Sequence, residues 1–504
     1  MTTTLHQIPS NRTPFDPDEM LKELRRSGVT EVDELLRHFH ERLELSADEA
    51  ARSQPEFERS LRTKTMAVER VLHVRDLERL VPTSAGLIVD GVRYVALEPS
   101  NLAVLLMSDW VTVPRPLFRA RGGHGGDTID PLALRIGLVG GSTTLAASRL
   151  ISRHAVSSTE AETAACLAEH GGMKPSASHV GRVMKALGAG VESQREKIEE
   201  AIRVQELVEQ QLPERDEVAV IAWSLDGIMV RMKDAPNTPG ASKNDEAPKG
   251  HREAASGTVA LYDAEGNRLH TIGLARMPES KKVTLHAQLE AELRNVIERY
   301  PEATLVAVAD AAKENWRIID EIERALGIRS IRVVDCFHAK DHLVTGLKQS
   351  GAHKTEIAKW KDVLLYEDGG ADKCLAELAR RRKFKVFDSN TERAKKMDAE
   401  VTYFNNNAHM MSYPELKARN LPIGSGVQEA ACKTLIAGRC KCSGMSWLRP
   451  GGQSILTFRS LDKSGRFDIA WNQIEQLFRE PYERCQVDPS DERERPSWSQ
   501  RAAA

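Results

Sequence analysis

The spacing of the hydrophobic residues changes abruptly after Pro213, and this change constrains the fold more than any other feature of the chain. Before it, apolar residues recur mainly at helical spacing. Residues 217–348 instead alternate between short, strongly apolar runs and amphipathic segments. The apolar runs predict buried strands, and the amphipathic segments predict helices that pack on them. A chain with this pattern must build a sheet that is covered by helices.

The order of these predicted elements narrows the choice of sheet. The run EVAVIAWSLDGIMVRMK predicts one long strand, and TVALYDAEGNRLHTIGLARM predicts a hairpin that turns at residues 263–267. Two strands joined through helices follow. The order β-β-β-α-β-α-β-α is typical of an RNase H-like α/β fold, a mixed five-stranded sheet that begins with a three-stranded meander. Residues 235–256 are expected to form a polar loop between the first two strands.

Two aspartates are at positions where an RNase H-like sheet is expected to bind ligands. Asp226 lies near the centre of the first strand, and Asp310 ends the buried run LVAVAD. The first and fourth strands of an RNase H-like sheet are neighbours, so we expect both carboxylates at one edge of the sheet, where α/β folds bind ligands. Each aspartate taken singly is also explained as a turn residue or a helix cap. Their joint position predicts a metal site.

The stretch from Leu421 to Trp471 supplies the candidate third acid. A glycine turn, residues 424–426, runs into a helix pattern that carries Glu429 in its first turn. An acid at this position also suits the helix dipole, which is the alternative explanation. Three carboxylates suit Mg²⁺ or Mn²⁺. Two such ions about 4 Å apart would clamp a scissile phosphate, and no protein nucleophile is then needed.

Basic and aromatic residues follow this acid. Lys433 is four residues after Glu429 and so shares its helix face, beside the phosphates of a bound nucleic acid. Arg439 and Lys441 extend this surface and predict backbone contacts that weaken with salt. Trp447 is a candidate for stacking on an unpaired base. Core packing is the alternative for the tryptophan.

Asp335 and His338 are three residues apart at a junction between a strand and a helix. They are candidates for auxiliary residues that orient the active site or touch a flanking phosphate. The alternative is a structural role, in which Asp335 caps the helix and accepts a hydrogen bond from His338. A zinc site formed with Cys336 and His342 is a further alternative.

The N-terminal part of the chain has a different character. Residues 17–80 predict helices, residues 86–115 predict short strands, and residues 121–131 form a Gly-rich turn. Residues 160–187 predict two helices separated by a glycine turn, in the manner of a helix-turn-helix. The second helix would present to a DNA groove the side chains of Ser178, His179, Arg182 and Lys185. An ordinary pair of packed helices is the alternative.

The changes of pattern predict six segments. Residues 1–130 form an N-terminal region, with residues 1–15 disordered, and residues 131–212 form a helical DNA-binding region. The α/β core occupies residues 213–348 and 416–482, on either side of an all-helical insertion at residues 349–415. Residues 483–504 are expected to be a disordered tail.

Composition adds limits rather than a function. The chain has 71 basic and 73 acidic residues, so its net charge of −2 does not point to a nucleic-acid partner. The seven cysteines include no CxxC pair, which fits reduced thiols in the cytoplasm and neither a zinc finger nor a disulfide framework. No apolar run approaches 18 residues, so a membrane partner is not expected.

Four strings of residues together resemble those of a known family. They are SLDG at 224–227, VADAAKENW at 308–316, VVDCFHAKDHL at 333–343 and GSGVQEAACKTLIAGRCKCSGMSW at 424–447. They resemble bacterial insertion-sequence DDE transposases, most nearly the ISKra-like group of the Mutator-like assemblage. The second string departs from the family pattern at Ala311, where glycine is common, and the fourth departs at Ser446, where arginine is usual.

The resemblance implies an RNase H-like core with Asp226, Asp310 and Glu429 as catalytic, metal-binding residues, and two Mg²⁺ or Mn²⁺ ions in each site. It implies a transposase of the bacterial cytosol that binds terminal inverted repeats and target DNA, cleaves strands and joins them. Pairing two transposon ends implies a homodimer or a larger assembly. Two alternatives stay open: a domesticated transposase that acts as a DNA-binding regulator, and another RNase H-like nuclease, acting on RNA–DNA hybrids or junctions.

Overall fold

The computed structural model describes residues 30–121, 127–233, 250–387 and 391–488. The disorder predicted for residues 1–15 lies outside these ranges. So do residues 122–126 of the Gly-rich turn, most of the loop predicted at 235–256 and the last part of the predicted tail. Within the described residues the chain is a mixed α/β protein with two five-stranded sheets.

Ten strands are assigned in the described residues. In chain order they are β1 Gly86–Val89, β2 Val92–Leu106, β3 Asp109–Ala120, β4 Thr128–Ile129, β5 Val220–Arg231, β6 His251–Tyr262, β7 Arg268–Arg276, β8 Thr304–Ala309, β9 Ile331–Val334 and β10 Cys485–Val487.

The α-helices are numbered in the same way. They are α1 Thr30–Leu43, α2 Ala47–Arg52, α3 Gln54–Leu80, α4 Pro131–Ile136, α5 Leu145–Ala155, α6 Glu160–Cys166, α7 Ala177–Ser193, α8 Arg195–Val208, α9 Val283–Arg299, α10 Lys313–Leu326, α11 Cys336–Gln349, α12 Lys354–Tyr366, α13 Gly370–Arg382, α14 Thr391–Asn407, α15 Tyr413–Ala418, α16 Gly426–Ala431, α17 Gly438–Cys440, α18 Arg449–Lys463 and α19 Phe467–Glu483.

The chain divides into two compact units. Unit 1 comprises Met1–Ile198 and Ala470–Ala504, and unit 2 comprises Glu199–Ile469. The division falls before the boundary predicted at residue 212. It also assigns the last residues of the predicted core, from residue 470, to the N-terminal unit.

Unit 2 contains the sheet that the change of hydrophobic spacing predicts. Its strands lie in the order β7-β6-β5-β8-β9. The meander β5-β6-β7 is antiparallel, while β8 and β9 run parallel to β5. The predicted order of strands and helices over residues 217–348 is therefore observed. One detail of the prediction is wrong, because residues 251–256 belong to β6 rather than to the loop before it.

Apolar side chains cover both faces of this sheet. On one face Trp223 and Ala307 pack with Leu289 of α9 and Ile319 of α10. On the other, the apolar side chains of β8, β9 and α11 form one cluster with those of α12, α13 and α14. Burial on both faces explains why β5 opens with a continuous apolar run and does not alternate with polar residues. The described part of residues 349–415 contains helices and no strands, as predicted.

Unit 1 contains a second, antiparallel sheet in the order β10-β1-β2-β3-β4. Strands β2 and β3 pair from Leu106↔Asp109 to Tyr94↔Ala120, with an irregularity between Ala96 and Pro99. The strands predicted for residues 86–115 are therefore shorter than the observed ones. The turn residues that were expected to separate them lie within the long hairpin of β2 and β3. The N-terminal part is accordingly less purely helical than predicted.

The end of the chain also differs from the prediction. Residues 485–487 form β10 and pair with β1 through Val89↔Cys485 and Leu87↔Val487. The expectation that disorder begins at residue 483 is wrong for this segment, since a short strand gains its stability from its partner strand and not from its own sequence.

Across the ranges described, no helix is both long enough and apolar enough to cross a membrane.

A buried ionic cluster joins three helical segments of unit 2. Arg466 donates from Nε and Nη2 to the carboxylate of Glu206, at 2.6 and 2.7 Å, and from Nη2 to Glu292 at 2.7 Å. Arg203 donates to the other oxygen of Glu292 at 3.2 Å. All four side chains are less than 10 % exposed. Breaking such a cluster leaves uncompensated charges inside the protein.

Replacement of Arg466 by methionine is therefore expected to destabilise unit 2 by about 3–5 kcal/mol, because two buried carboxylates lose their main partner. Chemical denaturation followed by circular dichroism measures this loss. Arg317→Met is the matched control, since Arg317 pairs with Glu321 on the surface, and its loss is expected to be below about 1 kcal/mol. Equal effects of the two substitutions would contradict the prediction.

Candidate active site

The parallel pairing of β5 with β8 determines where the two aspartates lie. The last paired residues are Trp223 and Ala307. Three residues further along each strand stand Asp226 and Asp310. Because parallel strands keep their register, Asp226 within β5 and Asp310 just after β8 lie at corresponding positions. The sequence predicted this arrangement, and the structure brings these two residues together.

The electrostatics of Asp226 reflect this arrangement. Burial raises the pKa of Asp226, and the nearby charge of Asp310 raises it further. The backbone N–H of Gly227, which donates to Oδ1 at 2.7 Å, acts in the opposite direction, as do His338 and Lys282. A half-buried carboxylate beside a second one favours either a proton or a bound cation.

Asp310 is held in place by hydrogen bonds. Its Oδ1 accepts from the backbone N–H of Ala312 at 3.2 Å and from Nδ2 of Asn315 at 2.7 Å. Asn315 is buried, and its Oδ1 accepts in turn from Lys282 at 3.1 Å. The same ammonium group lies 3.0 Å from Glu253. The sequence did not single out Lys282, Asn315 or Glu253, because their roles depend on contacts between distant segments.

Asp335 ties the glycine turn to the end of β9. It is fully buried, and its Oδ1 accepts from the backbone N–H of Phe337 at 2.8 Å, which caps α11. Its Oδ2 accepts a hydrogen bond from Ser425. His338 lies 4.0 Å from the same oxygen, and its charge also acts on Asp226. Asp335 therefore has the capping role given as the alternative. His338 lies near Asp335 and acts on Asp226 through its charge.

The short helix α16 packs on β6, and the turn that follows it lies beside Asp226 of β5. Gln428 donates to the backbone carbonyl of Ser256 at 2.9 Å and accepts from Thr258 at 2.9 Å, both on β6. Cys432 begins a π-helical turn, Cys432–Ala437, and its Sγ lies 4.0 Å from Oδ2 of Asp226. Burial, with the charge of Asp226, raises the pKa of Cys432 to about 12, so the thiol stays protonated.

Glu429 is on this helix but points elsewhere. Its carboxylate is 39 % exposed and lies 3.5 Å from Nζ of Lys433. In the part of the chain that the structure describes, no three His, Cys, Asp or Glu side chains are close enough to hold a metal ion together. The two aspartates fit one side of a divalent-ion site, because they are adjacent and partly desolvated. Glu429 is close along the helix to Cys432 but does not complete the site.

Of the three basic residues predicted to contact nucleic acid after Glu429, two are exposed and one is buried. Lys433 and Lys441 are exposed, as a phosphate contact requires. Arg439 is buried, with its guanidinium 5.1 Å from the ring of Trp447, so the prediction of a phosphate contact is wrong for it. The charge is removed from the surface because the planar guanidinium stacks on the indole.

Trp447 is partly buried against the protein core. Its Nε1 donates to the carbonyl of Cys440 at 3.1 Å, and its backbone N–H donates to the carbonyl of Arg231 at 3.0 Å. The side chain packs against the cluster that contains Val230 and Leu435. Core packing, the alternative given for this residue, is what the structure has, and base stacking by Trp447 does not fit it.

The helical insertion contributes a residue that the sequence did not single out. Tyr403, on α14, stacks on His342 with ring centroids 3.6 Å apart. His342 is hydrogen-bonded to Glu400 at 2.6 Å. The hydroxyl of Tyr403 is buried without a hydrogen-bond partner among the described residues. Burial raises the pKa of Tyr403, with further contributions from Asp310 and Asp335, which places the ring beside the acids.

The helix-turn-helix candidate lies in unit 1. Helix α6 is followed by a π-helical turn, Leu167–Gly171, and α7 begins after Ser176, whose hydroxyl accepts from the N–H of His179. Ser178, Arg182 and Lys185 are exposed along α7, at helical spacing on one face.

His179 does not belong to this face, and the prediction that it contacts DNA is wrong. It is 3 % exposed, its Nε2 is 2.7 Å from the hydroxyl of Thr143, and Trp110 packs edge-on against it. Burial lowers the pKa of His179. It lies one position after Ser178, and therefore about 100° round the helix, on the side that packs inward.

Comparisons with known proteins add no family to this picture: no protein-family model matches the chain, and no curated protein shows significant similarity to it.

The raised pKa of Asp226 leads to a prediction about stability. The folded protein binds this proton more tightly than the unfolded chain, so the ionised carboxylate lowers stability at neutral pH. Asp226→Asn is expected to raise the melting temperature by a few degrees in the presence of a chelator, corresponding to about 1 kcal/mol. The gain should shrink as the pH falls toward the ordinary pKa of aspartate, about 3.9.

Differential scanning calorimetry across this pH range measures the effect. Asp263→Asn is the control, because Asp263 is in a surface turn, away from the acid pair, and hydrogen bonds from Asn267 lower its pKa. That substitution is expected to leave the melting temperature unchanged or lower it. A lower melting temperature for Asp226→Asn than for the unchanged protein at neutral pH would show that the carboxylate stabilises the fold.

Proposed function

We propose that this protein is a DNA transposase that cleaves and joins DNA strands with divalent metal ions. One observation carries the proposal: Asp226 and Asp310 lie at corresponding positions on two parallel central strands, three residues beyond the last pair of β5 with β8. The strand order β7-β6-β5-β8-β9 puts the first and fourth strands of the core together, as the RNase H-like fold of the proposed family requires. The resemblance of the four sequence strings supports the same function.

In this proposal Asp226 and Asp310 hold the metal and Glu429 is the third ligand. Divalent ions held there would supply activation of the attacking oxygen and stabilisation of the leaving oxygen. The chain must position these ligands and exclude other cations. Asn315 and the N–H of Ala312 fix one carboxylate, and the N–H of Gly227 fixes the other.

The third ligand is the least constrained of the three. Glu429 is partly exposed and pairs with Lys433, a surface interaction that contributes at most about 1 kcal/mol and is easily exchanged. Gln428 and Cys432, on either side of it, anchor the helix on β6 and beside Asp226. Lys433, released from this pair, and Lys441 would contact the DNA backbone.

The proposal is tested by cleavage of DNA that carries the inverted repeats flanking the gene. The unchanged protein is expected to cut at the repeat ends with Mg²⁺ or Mn²⁺, and a chelator should abolish cleavage. Asp226→Asn and Asp310→Asn should each reduce cleavage to background, because each removes a charged ligand. Asp263→Asn, a surface change, should cleave normally.

The outcomes separate the alternatives. Robust cleavage by Asp226→Asn would contradict the assignment of the acids. Specific binding of the repeats without cleavage or strand transfer would indicate a DNA-binding regulator. Preferential cleavage of an RNA–DNA hybrid would indicate a different nuclease of the same fold.

We also propose that the exposed face of α7 binds DNA. Arg182→Ala and Lys185→Ala are each expected to weaken binding of the repeat DNA and to reduce the slope of log K against log salt by about 1, because each removes one phosphate contact. Fluorescence anisotropy at several salt concentrations measures this slope. Lys197→Ala, an exposed lysine on α8, is the control. An unchanged slope in both α7 variants would contradict the proposal.

A further inference from the structure

Lys282 is a buried lysine that an unusual backbone holds beside the two aspartates. Lys281 and Lys282 have φ angles of 54° and 53°, in the left-handed region that residues other than glycine rarely adopt. The side chain of Lys281 is exposed, whereas that of Lys282 is 9 % exposed. Strain of this kind persists where surrounding contacts hold the backbone, and it gathers at functional sites.

The contacts of Lys282 connect it to the acid pair. Its Nζ lies 3.0 Å from Oε1 of Glu253 and donates to Asn315 at 3.1 Å. Asn315 donates in turn to Asp310 at 2.7 Å. The ammonium is therefore one side chain away from Asp310. Its charge also lowers the pKa of Asp226.

Gly227 makes room for this arrangement. A Cβ atom at residue 227 would lie 1.8 Å from Oε1 and 2.4 Å from Cδ of Glu253. The side chain of Glu253 thus crosses β5 directly beside Asp226, where any larger residue would displace it. The result is a compact set of charges: three carboxylates, Asp226, Asp310 and Glu253, around one buried ammonium.

We propose that Lys282 is the resident counter-ion of the acid pair, and that it weakens the binding of a divalent cation to the protein free of DNA. A divalent ion that enters this site meets a positive charge already in place, and the repulsion lowers its affinity. DNA phosphates bring negative charge to the same place and offset the lysine. Ion binding is thereby favoured when DNA is present. The inference rests on the proposed divalent-ion site.

The test measures Mn²⁺ binding to the full chain by electron paramagnetic resonance, without DNA. Lys282→Met is expected to tighten binding on the order of tenfold, because one nearby positive charge is lost. Glu253→Gln is expected to weaken it, because it removes a negative charge from the same set. Glu253 is 43 % exposed, against 9 % for Lys282, so its variant keeps the test informative even where Lys282→Met is unstable. Lys281→Met is the matched control and should bind Mn²⁺ as the unchanged protein does.

The outcomes distinguish this inference from the proposed function. If Asp226→Asn abolishes Mn²⁺ binding but Lys282→Met binds no more tightly than the unchanged protein, the counter-ion role is wrong and the metal site stands. If Asp226→Asn binds Mn²⁺ as tightly as the unchanged protein does, both the counter-ion role and the proposed metal site are wrong. Tighter binding by Lys282→Met that is lost in the double variant with Asp226→Asn supports both.

Discussion

The parallel pairing of β5 with β8 is the interaction on which the candidate site depends. The pairs from Val220↔Thr304 to Trp223↔Ala307 hold the strands in step, so that Asp226 and Asp310 emerge together. The register is secured because both faces of β8 are buried, with Val306 packing on one side and Ala307 on the other. A slip of one residue would exchange these faces and separate the acids.

A second connection brings the candidate third acid to this edge across a long insertion. Asp335, at the end of β9, accepts from Ser425, and the N–H of Cys336 donates to Ile423 at 3.0 Å. A Cβ at Gly424 would lie 3.1–3.3 Å from Phe337 and Cys336, so glycine allows the close approach. The segment that leads into the helix of Glu429 is thus bonded to residues 335 and 336, which precede the insertion. These contacts do not involve the helices within the insertion.

The sequence predicted those parts of the molecule that depend on local pattern. The strands of the core and the neighbouring positions of Asp226 and Asp310 follow from apolar spacing and from the order of elements. Burial of single polar residues could not be predicted in the same way. From the sequence alone Arg439 is expected to be a surface charge, but in the structure its guanidinium lies over Trp447. His179 is likewise expected to be exposed, but its ring lies within hydrogen-bond distance of Thr143. Lys282 and Tyr403 reach the acids only through tertiary contacts, so no local pattern marks them.

The pairing of β10 with β1 has a consequence for how the chain folds during synthesis. The two strands lie almost 400 residues apart, from Gly86–Val89 to Cys485–Val487, and unit 2 is encoded between them. Domains generally fold as they leave the ribosome. Here the edge of β1 stays unpaired until residues 485–487 have been translated, which is after all of unit 2. An unpaired edge can pair with other chains, and β10 closes this one only after unit 2 has been made.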